Sequence, residues 1–295
     1  MITLDQLSSL GIGTSRAASL GSRLTPDFFA GLLHLASERG VNLIDTADFY
    51  GSGDSERLIA RCLKKTGLPF FVVTKAGLPC VNAPGWMSPL NQVVKKIKQR
   101  TGTKNNYSAA YLISSVQKSA KRLSVDAVDA FLLHEPSWDD IANADSWEGL
   151  AKIRQQGLAR YTGVSSNDYR VVEEGIRSGQ VQLVQTSTAW QEGSDSPILD
   201  LCRMHNIPVV GNQVLRPYKS LQGKFNQQEK AIQELDGLEG MSLPQFLIAS
   251  VLAEKKIDTV LFGTSDLAHL AHNIASLRYV SALPPSLSRI NQLLS

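Results

Sequence analysis

The sequence predicts an α/β protein: a single (β/α)8 TIM barrel over residues 1–295, with long loops after the third and seventh strands. Three observations lead there. Eight short apolar runs alternate with amphipathic stretches, the pattern of repeated strand-then-helix units around a parallel sheet. The intervening segments begin with helix-starting chemistry and several end in Gly. Composition continues without a linker-like break, repeat or low-complexity tract, and a single α/β barrel commonly needs about 250 residues. A doubly wound open sheet is the competing arrangement.

The first run is Leu10 to Gly13. Thr25-Pro26-Asp27 then precedes Phe28 to Arg39, supplying a hydroxyl for a free backbone N–H and a Pro whose missing N–H costs nothing at that position. Asn42 to Asp45 is the second run, and Asp54-Ser55-Glu56 opens a helix over Leu58 to Lys65. Phe70 to Thr74, Ala127 to Leu133 and Arg160 to Val164 are the third to fifth. Asn167-Asp168 then starts the helix Val171 to Arg177. Leu183 to Gln185, Pro208 to Gly211 and Thr259 to Phe262 complete the eight. Gly40, Gly67, Gly157 and Gly179 close helices, because the residue after a helix commonly turns left-handed. The intervals Ala76 to Asn106 and Asn212 to Gly240 exceed what a barrel needs. Both follow the carboxyl ends of strands, the face on which barrels carry their sites, so they are candidate substrate-enclosing loops.

Composition narrows the function classes. Forty-three per cent hydrophobic and 19% charged residues describe an ordinary globule, and 30 Lys+Arg against 27 Asp+Glu leave a formal charge of only +3. That excess is too small to argue for a nucleic-acid or membrane partner. Lys95, Lys96, Lys98, Arg100 and Lys104 form one local cluster, which reads as a solvated face before it reads as an attractor for an anionic substrate. Cys62, Cys80 and Cys202 are far apart with no C-x-x-C pair, so neither a metal site nor a disulfide framework is expected and a reduced, cytoplasmic compartment is. No signal-like N-terminus and no apolar run of roughly 18 residues is present.

Several motifs fail on inspection. Gly11-Ile12-Gly13-Thr14-Ser15-Arg16 has Arg where a dinucleotide fingerprint needs its third Gly, and Tyr218 stands where a phosphate loop ending in Gly223-Lys224 needs its first. Gly163-Val164-Ser165-Ser166-Asn167 lacks the last Gly of a nucleophile elbow, and His134-Glu135 has Trp138 in place of a second metal-binding His. Ser115-Val116-Gln117-Lys118 has no accompanying K-T-G.

Polar residues at strand ends survive this filter. Asp45 ends the second run with Tyr50 five residues on, Lys75 follows Val72-Val73-Thr74, and His134 follows Phe131-Leu132-Leu133. In a barrel all four face one mouth, bringing a carboxylate, a phenol, an ammonium and an imidazole together for proton transfer to a carbonyl oxygen. Singly each has a structural explanation: a capping Asp45, a snorkelling Lys75, a half-buried Tyr50, a structural His134.

Asn42 to Glu56, reading N-L-I-D-T-A-D-F-Y-G-S-G-D-S-E, resembles the D-T-A-x-x-Y-G-x-G-x-S-E signature of the aldo-keto reductase superfamily. Thr74-Lys75-Ala76-Gly77 is similar to its T-K-x-G segment and Leu132-Leu133-His134-Glu135-Pro136 to its L-L-H-x-P. The likeness continues through Gly163-Val164-Ser165 to Gly263-Thr264-Ser265 and Asn273, nearly the whole chain in the family's order. It implies an oxidoreductase that moves hydride between a nicotinamide cofactor and an aldehyde, ketone or alcohol, without a metal. Tyr50 would be the general acid, Lys75 would lower its pKa from the usual value near 10, Asp45 would hold Lys75, and His134 would orient the substrate carbonyl. Trp86, in the loop after the third strand, would line the substrate pocket beside Tyr50 and His134, as aromatics in such loops often do, or simply anchor the loop.

The resemblance also implies a cofactor site built from Gly13, Thr14, Asp45, Ser165, Ser166, Gln185, Asn212, Gln213, Leu215, Gly263, Thr264, Ser265, His269, His272 and Asn273. Ser165 and Gln185 match residues that bond the nicotinamide carboxamide, with Ser166 where Asn is frequent and Asn167 one place later. Asn212 stands where an aromatic often stacks on the ring. Gly263 and His269 replace the basic residues that grip a 2′-phosphate in NADP-preferring members, and Asp266 would oppose a phosphate if it turned inward. Family grounds leave NADP(H) slightly ahead of NAD(H). A monomer or small homo-oligomer is expected. A nicotinamide-binding scaffold or regulatory protein with little turnover is the alternative, and a Schiff base on Lys75 is disfavoured because Asp45 should keep the amine protonated.

Overall fold

The computed structural model describes residues 1–15, 17, 24–79, 104–193 and 195–295. Trp86, Cys80, Lys95, Lys96, Lys98 and Arg100 lie outside the described residues; Lys104 is exposed. Eight strands close a barrel in chain order: β1 Leu10–Gly13, β2 Leu43–Asp45, β3 Phe71–Ala76, β4 Val128–His134, β5 Ala159–Ser165, β6 Leu183–Ser187, β7 Val209–Asn212 and β8 Thr259–Phe262. Every pairing is parallel, and β1 closes on β8 through Leu10 opposite Val260. An open sheet is thereby excluded.

The described helices are α1 Pro26–Glu38, α2 Asp54–Thr66, α3 Ala109–Leu123, α4 Trp138–Ile141, α5 Ser146–Gln155, α6 Tyr169–Arg177, α7 Pro197–Met204, α8 Tyr218–Gln233, α9 Leu243–Ala253, α10 Leu267–Ile274 and α11 Leu283–Leu294. Two of the three expected starts operate as capping chemistry, with Thr25 Oγ1 accepting from Phe28 N at 3.3 Å and Asp168 Oδ1 from Arg170 N at 3.1 Å, whereas α2 begins after Gly53 with no side-chain cap. Gly40, Gly67, Gly157 and Gly179 all adopt positive φ.

One expectation changes. The interval after β7 is mostly helix, because α8 fills 16 of its residues and buries Phe225 and Ile232 against α9 and α11. With only those two residues fully buried in a helix dominated by Gln, Lys and Glu, its sequence carries little apolar periodicity.

Among the described residues three apolar clusters form the core. The largest lies between the strands and the surrounding helices, and a second joins α8, α9 and α11. The third fills the barrel with Leu43, Phe71, Val73, Ala130, Leu132, Leu183, Val210 and Leu261, closed at the amino-terminal end by Ile2, Leu4 and Leu7. Side chains alternate along a strand, so the residue two places beyond each filler also faces the axis, one layer nearer the carboxyl mouth.

Candidate active site

That two-residue step generates the site. Leu43 leads to Asp45, Val73 to Lys75, Leu132 to His134, Gly163 to Ser165, Leu183 to Gln185 and Val210 to Asn212, so polar side chains from six strands form the top layer of the barrel interior. The strands outrun the apolar runs that announce them: β3 extends through Lys75 to Ala76, and β4 through His134.

Asp45, Lys75 and His134 are buried, with 4%, 1% and 3% of their surfaces exposed. Lys75 Nζ donates to Asp45 Oδ1 at 2.6 Å and to the Thr46 carbonyl at 2.7 Å. The ammonium also lies beside Tyr50, with Nζ 5.2 Å from the ring centre, so that its charge and the phenol act on each other. An ammonium that donates to a carboxylate and to a carbonyl at these distances is fixed in position. Tyr50 begins a tight turn through Gly51, Ser52 and Gly53, at φ of 60°, 56° and 86°. Glycine at two of these three left-handed positions explains the G-x-G spacing. The His134 ring stands edge-on to Tyr50, centres 5.7 Å apart at 82°, and edge-on to Phe49 at 6.0 Å.

Beneath these groups runs a buried chain of hydroxyls. Thr46 Oγ1 donates to Ser55 Oγ at 2.9 Å, Ser55 Oγ to Thr14 Oγ1 at 2.7 Å, and Thr14 Oγ1 to the Asp45 carbonyl at 2.8 Å. Further out, Thr74 Oγ1 donates to Glu56 Oε1 at 2.6 Å, and Arg122 pairs with the other Glu56 oxygen. These contacts lock the ends of β1, β2 and β3 around Lys75. Phe49, Tyr107, Thr46, Ser55 and Arg122 were not among the residues expected from sequence; the hydroxyls and Glu56 sit inside the matched motif, while nothing in the chain points to Arg122.

The electrostatics depart from expectation at Tyr50. Burial pushes its phenol above the usual value; the Lys75 ammonium pulls it down, as expected, but burial wins, aided by the Asp45 and Glu135 carboxylates. Burial likewise raises the Asp45 carboxyl, opposed by Lys75 and by a hydrogen bond from Gln185. For Lys75 burial works to lower the pKa, but attraction to Asp45 and Tyr50 outweighs it and holds the ammonium above its ordinary value. The 2.6 Å contact is therefore an ion pair whose charge Lys75 keeps.

The residues expected to hold a cofactor divide into two groups. Ser165 and Gln185 are buried at adjacent strand ends, in register with each other. Gln185 Oε1 and, on β7, Asn212 Oδ1 are buried without a partner among the described residues. Two unspent acceptors beside a serine hydroxyl suit a primary amide, so this corner fits a nicotinamide carboxamide. Gly13 and Gly263 meet closely at the β1–β8 seam, where a Cβ on Gly263 would lie 3.2 Å from Gly13 O.

Several of the others have their side chains engaged elsewhere. The Thr14 hydroxyl is spent on Asp45 and Ser55. Ser166 Oγ donates to the Pro136 carbonyl at 2.7 Å, and Asn167 Oδ1 accepts from Thr186 Oγ1 at 2.9 Å and from Ser187 N at 2.8 Å. Both are tied into the loop by these bonds. Leu215 packs between the two outer cores, while Gln213 is exposed at φ 58°. After β8, Thr264 Oγ1 bonds the Asp266 backbone, and the Asp266 carboxylate caps α10 by accepting from His269 N at 2.9 Å. Ser265 and His269 are exposed, Asn273 is buried, and His272 Nε2 lies 2.7 Å from Ser242 Oγ. Among the described residues no cluster of His, Cys, Asp and Glu could hold a metal, and no helix is long and apolar enough to cross a membrane.

A sequence profile of the Aldo/keto reductase family matches residues 9–293. The chain belongs to that family. It is thereby an oxidoreductase of the aldo-keto reductase type. L-galactose dehydrogenase of Arabidopsis thaliana is 24% identical over 302 residues, 94% of this chain and 86% of that one. NADH-specific methylglyoxal reductase of Escherichia coli is 24% identical over 268 residues, 81% of this chain and 79% of that one. An aldo-keto reductase from Klebsiella pneumoniae, solved with NADPH, superimposes with a TM-score of 0.73 at 20% identity, covering 98% of this chain and 91% of that one.

Proposed function

We propose that this aldo-keto reductase reduces an aldehyde or ketone, or oxidises the matching alcohol, with Tyr50 as the general acid or base. One observation carries the assignment: a buried ammonium bonded to Asp45 and to the Thr46 carbonyl lies 5.2 Å from the Tyr50 ring centre, next to an imidazole. A bound nicotinamide would supply the hydride to the carbonyl carbon, or receive it in the reverse direction. Tyr50 hands its proton to the carbonyl oxygen, and Lys75 stabilises the phenolate left behind. Asp45 fixes Lys75, and His134 sets the angle of the carbonyl. Ser165, Gln185 and Asn212 hold the carboxamide, while Gly13, Gly263, Thr264, Ser265 and Asn273 flank the remainder of the dinucleotide.

The carboxylate cap of Asp266 on α10 places a negative charge where a 2′-phosphate would otherwise find backbone N–H groups. From residue 263 to 277 there is no Lys or Arg to offset it. NADH therefore suits this site better than NADPH. Fluorescence titration with each nucleotide tests this, and a steady-state panel of aldehydes and ketones tests the activity. We expect tighter binding of NADH and measurable turnover. Binding without turnover on any carbonyl would favour a nicotinamide-binding scaffold, and binding of neither at near-millimolar concentration would remove the dinucleotide site.

A further inference from the structure

Tyr107 lies in none of the roles above, yet it is 98% removed from solvent directly under the site. Its hydroxyl donates to the backbone carbonyl of His134 at 2.7 Å. Its ring covers Gly77, two residues beyond Lys75, so closely that a Cβ there would fall 2.0 Å from Tyr107 Cε1. Asn106 N bonds the Gly77 carbonyl at 2.9 Å and Ser146 Oγ bonds the Tyr107 carbonyl at 2.8 Å, which pins this stretch to the end of β3 on one side and to α5 on the other. One side chain therefore connects the strand carrying Lys75 with the strand carrying His134.

The local backbone shows why that link matters. Immediately after His134, Glu135 turns left-handed at φ 55°, a conformation that a residue with a side chain resists. Two hydrogen bonds hold the step: Glu135 N to the Ser165 carbonyl at 2.8 Å and the Tyr107 hydroxyl to the His134 carbonyl. The imidazole takes its direction from this peptide. Burial and nearby carboxylates keep the Tyr107 phenol protonated far above the physiological range, so it remains a donor throughout.

We propose that Tyr107 is a positioning residue, which fixes the direction of the His134 imidazole beside the Tyr50 ring by holding the His134 carbonyl. The proposal rests on the catalytic reading of His134. Tyr107→Phe keeps the ring over Gly77 and removes only the donor. It is expected to lower kcat by about tenfold, in line with loss of one orienting hydrogen bond, while leaving the nucleotide Kd within twofold. In a His134→Ala background the same change is expected to alter kcat by less than twofold, because the group it acts through is gone. Equal losses in both backgrounds would mean that Tyr107 is only structural. Independently of turnover, the His134 ring resonances in NMR spectra of the protein alone should move in Tyr107→Phe, and unchanged resonances would overturn the proposal. If wild type turns over no carbonyl but the resonances move, the catalytic reading fails and the positioning contact stands. Should Tyr107→Phe not fold, Ser146→Ala, which frees the Tyr107 backbone and retains its hydroxyl, should shift the same resonances; no shift would overturn the proposal.

Discussion

Tyr50 owes its chemistry to neighbours that oppose one another. Replacement by Phe removes the proton donor and leaves the carboxamide corner untouched, so Tyr50→Phe should lower kcat by at least about 10²-fold with nucleotide affinity nearly unchanged. Stopped-flow or steady-state assays beside a binding titration check both halves, and retained turnover would take Tyr50 out of its role. Burial holds the phenol above its usual value near 10 in spite of Lys75. The protonated form that reduction requires thus persists through neutral and mildly alkaline pH and is lost only as pH rises through the raised value. The pH profile of kcat/KM for carbonyl reduction should accordingly stay flat from about pH 7 to 9, since it reports the free protein. A descending limb centred near 8 would show that Lys75 outweighs burial.

At the scale of single elements, two helices and one strand pair make separate claims. Asp266 caps α10 with a charge that a phosphate would meet. Asp266→Asn preserves a good capping residue and removes that charge. It should tighten NADPH binding by roughly threefold, the scale of one exposed charge contact, and leave NADH binding unchanged. Gly163 on β5 lies tight against β6: a Cβ there would sit 1.9 Å from the Leu183 carbonyl and 2.8 Å from Leu132 Cδ2. Backbone cannot yield as a side-chain tip can, so Gly163→Ala should destabilise the protein by about 3 kcal/mol in urea unfolding. Gly223, inside α8, has nothing within 4 Å of its would-be Cβ. Gly223→Ala should instead stabilise by about 0.5–1 kcal/mol.

Across the whole molecule, the site depends on elements far apart in the chain. Arg122, near the end of α3, reaches Glu56, in the first turn of α2, and Glu56 in turn holds Thr74 beside Lys75. Glu56 is fully buried, and its charge in that setting needs the guanidinium. Arg122→Ala should therefore cost about 3–5 kcal/mol in urea unfolding. A cost below about 1 kcal/mol would mean that solvent or another group takes over the pairing. The barrel is also closed at its far end by Ile2, Leu4 and Leu7, and Arg160 ties that segment down through the Ile2 carbonyl at 2.9 Å. The chain's beginning thus completes the core whose other end is the site.

The alternation of apolar runs with capped helices was enough to specify eight strand–helix units, because burial of a strand and satisfaction of helix termini leave local marks in the chain. Asp45, Lys75 and His134 were legible for the same kind of reason, since a polar residue two steps beyond a barrel-filling one ends an apolar run, whereas Tyr50 was legible through its place in the D-T-A-x-x-Y-G motif. Signals of that sort end where contacts become non-local. Tyr107 lies 27 residues from the carbonyl it holds and Arg122 lies 66 from Glu56, and neither separation leaves a periodic trace. The helix after β7 is not legible in the sequence because its two buried residues are too few to set a period. Direction of side chains is likewise a tertiary property. Thr14, Ser166 and Leu215 have the residue types a cofactor site uses, yet the folded chain spends the first two on backbone carbonyls and the third on packing. The balance at Tyr50 was decided there too: sequence places a cation beside the phenol, but only the closed barrel sets how much water is removed, and the loss of water is the larger effect.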